Sequence, residues 1–209
     1  MPRRIHVALI DSGVDPQRLP ERHRARACQR GDIVLKDGAV SQPMGLTDDE
    51  LGHGTANATL LLDASPFIDV TSFRIFDKDH RASFDLVLAA LQSALRRGVD
   101  VICCPLGTPD PVFMTRAAPL VRNCEVAGVT VVAPASFHGL PSYPGSCEGA
   151  VGVLADSAMS AEVRPRATGA LFTASPLPPA DFPHAPPGAS FAAARVAGEV
   201  ARRMAESSC

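Results

Sequence analysis

Ile5-His6-Val7-Ala8-Leu9-Ile10-Asp11-Ser12-Gly13 is an almost unbroken apolar run that ends on a carboxylate and two turn residues. A strand wetted on one face alternates apolar and polar positions, whereas a continuous run marks a strand covered on both faces, as in a parallel sheet. The same pattern returns at 68–75, 99–104, 129–133 and 150–154. Helical patterns fall between these runs, over Gly54–Leu62, Ser83–Arg97 and Val112–Ala127, and a last one starts near Ser190 and continues to Ala205. Strands alternating with helices imply right-handed crossovers, and hence a three-layer α/β domain with a mainly parallel sheet flanked by helices.

In such sheets the functional crevice lies at the carboxyl ends of the strands. Asp11 closes the first strand there, while His53 in Gly52-His53-Gly54-Thr55 and Ser190 in Gly188-Ala189-Ser190 each open a helix. Asp, His and Ser in this order are one of the known arrangements for nucleophilic acyl transfer. A serine hydroxyl is a poor nucleophile at neutral pH unless an imidazole takes its proton, and a carboxylate must hold that imidazole in the right tautomer. Each residue also has a structural use: Asp before Ser-Gly in an Asx turn, His as a helix-start residue, and Ser as a helix cap.

The flanking blocks Ile5 to Asp15, Gly52 to Ala56, and Gly188-Ala189-Ser190-Phe191-Ala192-Ala193 through Val196-Ala197-Gly198 resemble the three signature blocks of the subtilisin-like serine proteases. Intermediate landmarks resemble that family too: Gly98-Val99-Asp100-Val101-Ile102 leading to Leu106-Gly107, Gly128-Val129-Thr130-Val131-Val132-Ala133, and Tyr143-Pro144-Gly145 before Ala150. The resemblance covers nearly the whole chain. It implies a subtilisin-like fold and a serine endopeptidase in which Asp11, His53 and Ser190 are catalytic. It further implies that Leu106 and Gly107 form one edge of a substrate cleft, with the Asp77-Lys78-Asp79-His80-Arg81 segment as the other. Pro134, Ala135 and Ser136 would wall the pocket for the residue before the scissile bond.

One departure bears on chemistry. The family carries an Asn whose side-chain amide donates to the oxyanion, and here Phe137 stands at that position, in Pro134-Ala135-Ser136-Phe137-His138-Gly139. Loss of one such donor typically lowers turnover by about 10²–10³. Ser136 or His138 would be replacement donors; His138 is otherwise an exposed loop histidine. A second departure is Ala194-Arg195, where the family has Pro-His after the nucleophile. Two functions stay open: a serine endopeptidase acting on a specialised peptide substrate, and a catalytically impaired relative that binds a peptide or protein.

At 209 residues, with 46% hydrophobic and 20% charged residues and a net charge of −2, the chain fits one domain spanning 1–209 and gives no reason to expect nucleic acid as a partner. No apolar signal core or bilayer-length stretch is present, so no membrane partner and a cytoplasmic location are expected. The cysteines at 28, 103, 104, 124, 147 and 209 show no metal-ligand spacing; reduced thiols, no metal and no cofactor are expected. Adjacent Cys103 and Cys104 should point to opposite sheet faces.

Residues 15–50 read as a long irregular segment with a basic run, Arg18, Arg22, His23, Arg24, Arg26 and Arg30, which is either a solvated surface or a docking patch for an acidic peptide. Asp48, Asp49, Glu50, Asp79 and Asp110 would make the cleft acidic, or are solvated. Segment 164–188 is Pro-rich and reads as an ordered loop delivering Ser190. The chain stops one helix after Ser190, which points to a partner protein or a homo-oligomer covering exposed apolar surface.

Overall fold

Every apolar run singled out in the sequence becomes a strand of one sheet. The computed structural model describes residues 2–28, 34–36, 39–41, 49–76, 79–160, 163–166 and 171–207. The strands are β1 (Ile5–Asp11), β2 (Ala27–Cys28), β3 (Val34–Lys36), β4 (Ala39–Ser41), β5 (Ile68–Arg74), β6 (Val101–Cys103), β7 (Thr130–Pro134), β8 (Ser136–Phe137), β9 (Leu140–Pro141), β10 (Ala150–Ala155), β11 (Val163–Pro165) and β12 (Leu171–Ala174). The helices are α1 (His53–Ala64), α2 (Phe84–Arg96), α3 (Pro111–Val126) and α4 (Ala189–Glu206), with a 3-10 helix at Glu21–Arg26. Arg30, Asp48, Asp77, Lys78 and Cys209 lie outside the described residues, as does the side chain of Cys28.

The main sheet runs in the order β11-β12-β10-β7-β6-β1-β5-β2. Its pairs are parallel except for β11 against β12 at the edge. From β1 the chain goes through α1 to β5 on one side, then through α2 to β6 on the other. The carboxyl end of β1 is therefore a topological switch point, where open α/β sheets form a crevice. Asp11 occupies it, with its carbonyl accepting the Ile75 N–H at 2.8 Å.

The two faces carry separate cores, and β1 feeds both by simple alternation. Ile5, Val7 and Leu9 pack with α1 and α4, whereas Ala8 and Ile10 pack with α2 and α3. Cys103 enters the first core and Cys104 the second, as the two-residue period of a strand requires. Burial pushes the Cys104 thiol up to about 12, which leaves it inert at neutral pH. The helices α1 and α4 approach closely because Gly198 has no side chain; a Cβ there would sit 2.8 Å from the Ala64 Cβ. Among the described residues no helix is long and apolar enough to cross a membrane.

Two segments hold more regular structure than the sequence implies. Within 15–50 lie the 3-10 helix, β2 and the β3–β4 hairpin. Most of the basic run is used internally. Arg26 donates to the Leu62 carbonyl in the last turn of α1, to the Ser65 and Ile68 carbonyls beyond it and to His23 Nδ1, Arg24 donates to the Leu19 and Gln17 carbonyls, and Arg22 pairs with Asp63 and Asp181. Since Arg26 donates to Nδ1, His23 carries its proton on Nε2, which donates to Asp63 at 2.7 Å. Among the described residues of segment 164–188, loop runs from Ser175 to Gly188, while β11 reaches Pro165 and β12 pairs parallel to β10, which a Pro count does not reveal.

Candidate active site

Three segments converge at the carboxyl end of β1, and a buried carboxylate holds two of them together. Asp49 is 3% exposed and accepts from Ser12 Oγ and the Gly52 N–H at 2.8 Å, the Thr55 N–H at 2.7 Å and Thr55 Oγ1 at 2.6 Å. Gly52, the N-cap of α1, sits at φ 75° and has no side chain to cap with. Asp49 supplies the cap from three residues upstream, satisfying N–H groups that the first turn leaves orphaned. It is therefore a structural anchor and does not line the cleft. Asp110 is likewise the N-cap of α3, accepting from the Val112 N–H at 2.7 Å.

This anchor sets the entry of α1 and aims its first residue at β1. His53 Nδ1 lies 2.7 Å from Asp11 Oδ1. A carboxylate can only accept, so Nδ1 carries the proton and Nε2 is left as the basic nitrogen. Asp11 is fully buried and is held by the Ser12 N–H at 2.7 Å and by Asn57 Nδ2 at 2.8 Å. Asn57 was not singled out from sequence, yet it lies four residues after His53 and so shares its helix face. Burial of His53 opposes its charged form, but the Asp11 charge and hydrogen bond, with a further contribution from Asp49, outweigh it and raise its pKa.

Ser190 is the second residue of α4, whose N-cap is Gly188 with no side-chain cap. Its hydroxyl is thus not the cap, and its backbone N–H has no acceptor within the helix. The buried Phe191 beside it anchors the first turn, with its ring centroid 5.8 Å from that of His53. Burial of such a side chain contributes about 2–3 kcal/mol, which fixes where Ser190 stands. Ser190 and His53 line one cavity of about 780 Å³, walled by His80, Arg18 and the segment Asp181 to Gly188. Among the described residues no hydrogen bond joins Ser190 Oγ to His53. Such bonds are often long before substrate binds.

The remaining sequence-derived positions are spread around this cavity. Leu106 and Gly107 line a separate cavity of about 280 Å³ with Phe76, Phe84 and Phe113, and His80 belongs to both. Thr108, next along that edge, exchanges backbone hydrogen bonds with Tyr143 at 3.1 and 2.9 Å. Ser136 lines a third cavity of about 420 Å³ that reaches Ala189. Pro134 is buried in β7, with Gly145 packed against its carbonyl. Ala135 gives its N–H to the Val153 carbonyl, and its own carbonyl accepts from the Ser142 N–H and Ser146 Oγ. Phe137 points outward, 47% exposed, from the tight β8–β9 hairpin whose turn is His138-Gly139; its ring stacks edge-on with His138 at 4.5 Å. His80 adopts a left-handed φ of 59° and sets its ring 5.6 Å from that of His53. A non-glycine residue is strained there, which marks a constrained position.

Arg195 does not reach this site. It lines a cavity of about 640 Å³ with Asp63 and Glu199, and among the described residues its buried Nη1 has no hydrogen-bond partner.

No protein-family model matches the chain, and no curated protein matches it. Among solved structures it is similar to the crystal structure of a lanthipeptide protease, with a TM-score of 0.73 at 19% sequence identity, over 97% of this chain and 73% of that one. At this identity the likeness shows the fold: the chain has the α/β architecture of a known protease.

Proposed function

We propose that the chain is a subtilisin-like serine peptidase in which Ser190 is the nucleophile, His53 the general base and Asp11 the group that orients and charge-stabilises His53. The observation that carries this reading is the 2.7 Å contact of His53 Nδ1 with a fully buried carboxylate, in the cavity that Ser190 also lines. Nε2 would take the Ser190 proton as Oγ attacks the peptide carbonyl. The resulting oxyanion would lie against the Ser190 N–H at the positive end of α4. Collapse would pass the proton from His53 to the leaving amine, giving an acyl-enzyme and a free amino terminus. Water, deprotonated by His53, would then release the carboxylate product and restore Ser190.

The outward-facing Phe137 favours a second reading, a peptide-binding relative with little turnover, because no side-chain amide stands at that position. Incubation with a library of internally quenched peptides separates the two. The peptidase reading expects cleavage that vanishes in Ser190→Ala while the variant stays folded; peptide binding without cleavage in the wild-type protein would support the second.

A further inference from the structure

Taking the peptidase reading as its basis, we propose that the cavity beside His53 and Ser190 receives a carboxylate of the peptide and that Arg18 is the residue that binds it. The main chain at Arg18 is rigidly placed. Its N–H and that of Leu19 donate to the Asp15 carbonyl at 3.1 and 3.2 Å, Asp15 is tied to Thr55 Oγ1 at 3.0 Å, and Leu19 is buried in the core. The side chain then turns over Gly52, the residue before His53, where an added Cβ would collide with Nη2. Nη1 donates to the Asp49 carbonyl at 2.9 Å, so the guanidinium is oriented by a neutral acceptor.

The surroundings make this cation a binding group. Arg22, close by in sequence, is neutralised by Asp63 and Asp181, whereas among the described residues Arg18 forms no ion pair. Among the described residues the cavity is lined by one arginine, Arg18, and one acid, Asp181, which Arg22 already engages at 3.1 Å. Its remaining wall is largely apolar, with Leu51, Phe182, Pro183 and Phe191. A planar guanidinium fork matches a carboxylate in shape as well as charge, and an apolar wall weakens the competition from water. Of the carboxylates expected to make the cleft acidic, Asp49 and Asp110 are used as helix caps instead. His80 separates this cavity from the one at Leu106 and Gly107, so the carboxylate belongs to the part of the peptide across His53 from that edge.

The test compares matched internally quenched peptides carrying Glu or Gln, and Asp or Asn, at each of the three positions on either side of the scissile bond, each with a free or amidated carboxyl terminus. With wild-type protein, one acidic position on one side should raise kcat/KM at least about tenfold over its amide twin. A gain that follows the free terminus instead would assign the carboxylate to the chain end. In Arg18→Gln the acid-to-amide ratio should fall toward one, and Arg18→Lys should restore part of it. Equal rates for every acid and amide pair with wild-type protein would overturn the proposal while leaving the peptidase reading intact. Should no peptide be cleaved at all, that reading fails, and fluorescence anisotropy of the same pairs on the Ser190→Ala protein still decides whether acid is preferred.

Discussion

In the proposed mechanism His53 is the residue on which protonation and function meet. Its pKa is raised because the charge and hydrogen bond of Asp11 overcome the burial that opposes the imidazolium. A base must be neutral to act, so kcat/KM should rise with pH through a midpoint above the ordinary imidazole value of about 6.5. Asp11→Asn should move that midpoint down and lower kcat by about 10⁴-fold, by favouring the wrong tautomer. Stability runs the other way. A histidine whose folded pKa is raised stabilises the fold fully below its unfolded value of about 6.5, and the contribution is lost as pH rises through the folded value. His53→Ala should therefore lose more stability in acid than in base, measured by urea unfolding at both pH values. A midpoint at or below the ordinary value would show that Asp11 does not govern this imidazole.

At the scale of elements, the start of α1 carries His53 of the proposed site, and its geometry depends on small residues used in different ways. Gly54 packs so closely on the Gly13 carbonyl that a Cβ would overlap it, whereas Gly98 has open space around it and only a left-handed φ of 64° to accommodate. Gly54→Ala should destabilise by about 3 kcal/mol through overpacking, and Gly98→Ala by about 1 kcal/mol through backbone strain alone. Chemical denaturation of both variants checks the order; equal losses would mean that the contact with Gly13 is not the constraint. The sequence exposes α1 through Gly-His-Gly-Thr and the apolar pattern after it. It hides the cap, because an N-cap is sought at the residue before the helix, and Asp49 acts from three residues further back across a turn. Asn57 was in principle findable from its spacing to His53. The contact of His80 with His53 was not, because it depends on a left-handed residue in an irregular segment.

For the whole molecule, the strands β1, β5, β6, β7 and β10 and all four helices were legible because burial on both faces writes a continuous apolar run and helix faces write their own period. The edge was not. β11 and β12 are short and lie near prolines, and β2 pairs over two residues, so local composition carries no signal that long-range pairing overrides. The same limit applies to the cleft. Residue order could nominate Asp11, His53 and Ser190, but which charge faces the cavity depended on how each arginine and carboxylate was used elsewhere. The fold brings β1, α1 and α4 to one switch point, and the account stands on Ser190 being an activated nucleophile there. The most direct measurement is labelling of the purified protein with a fluorophosphonate at neutral pH, with Ser190→Ala as control and mass spectrometry of the modified peptide. Stoichiometric label on Ser190, absent in the variant, is the predicted result; folded protein that takes up no label at Ser190 would contradict it.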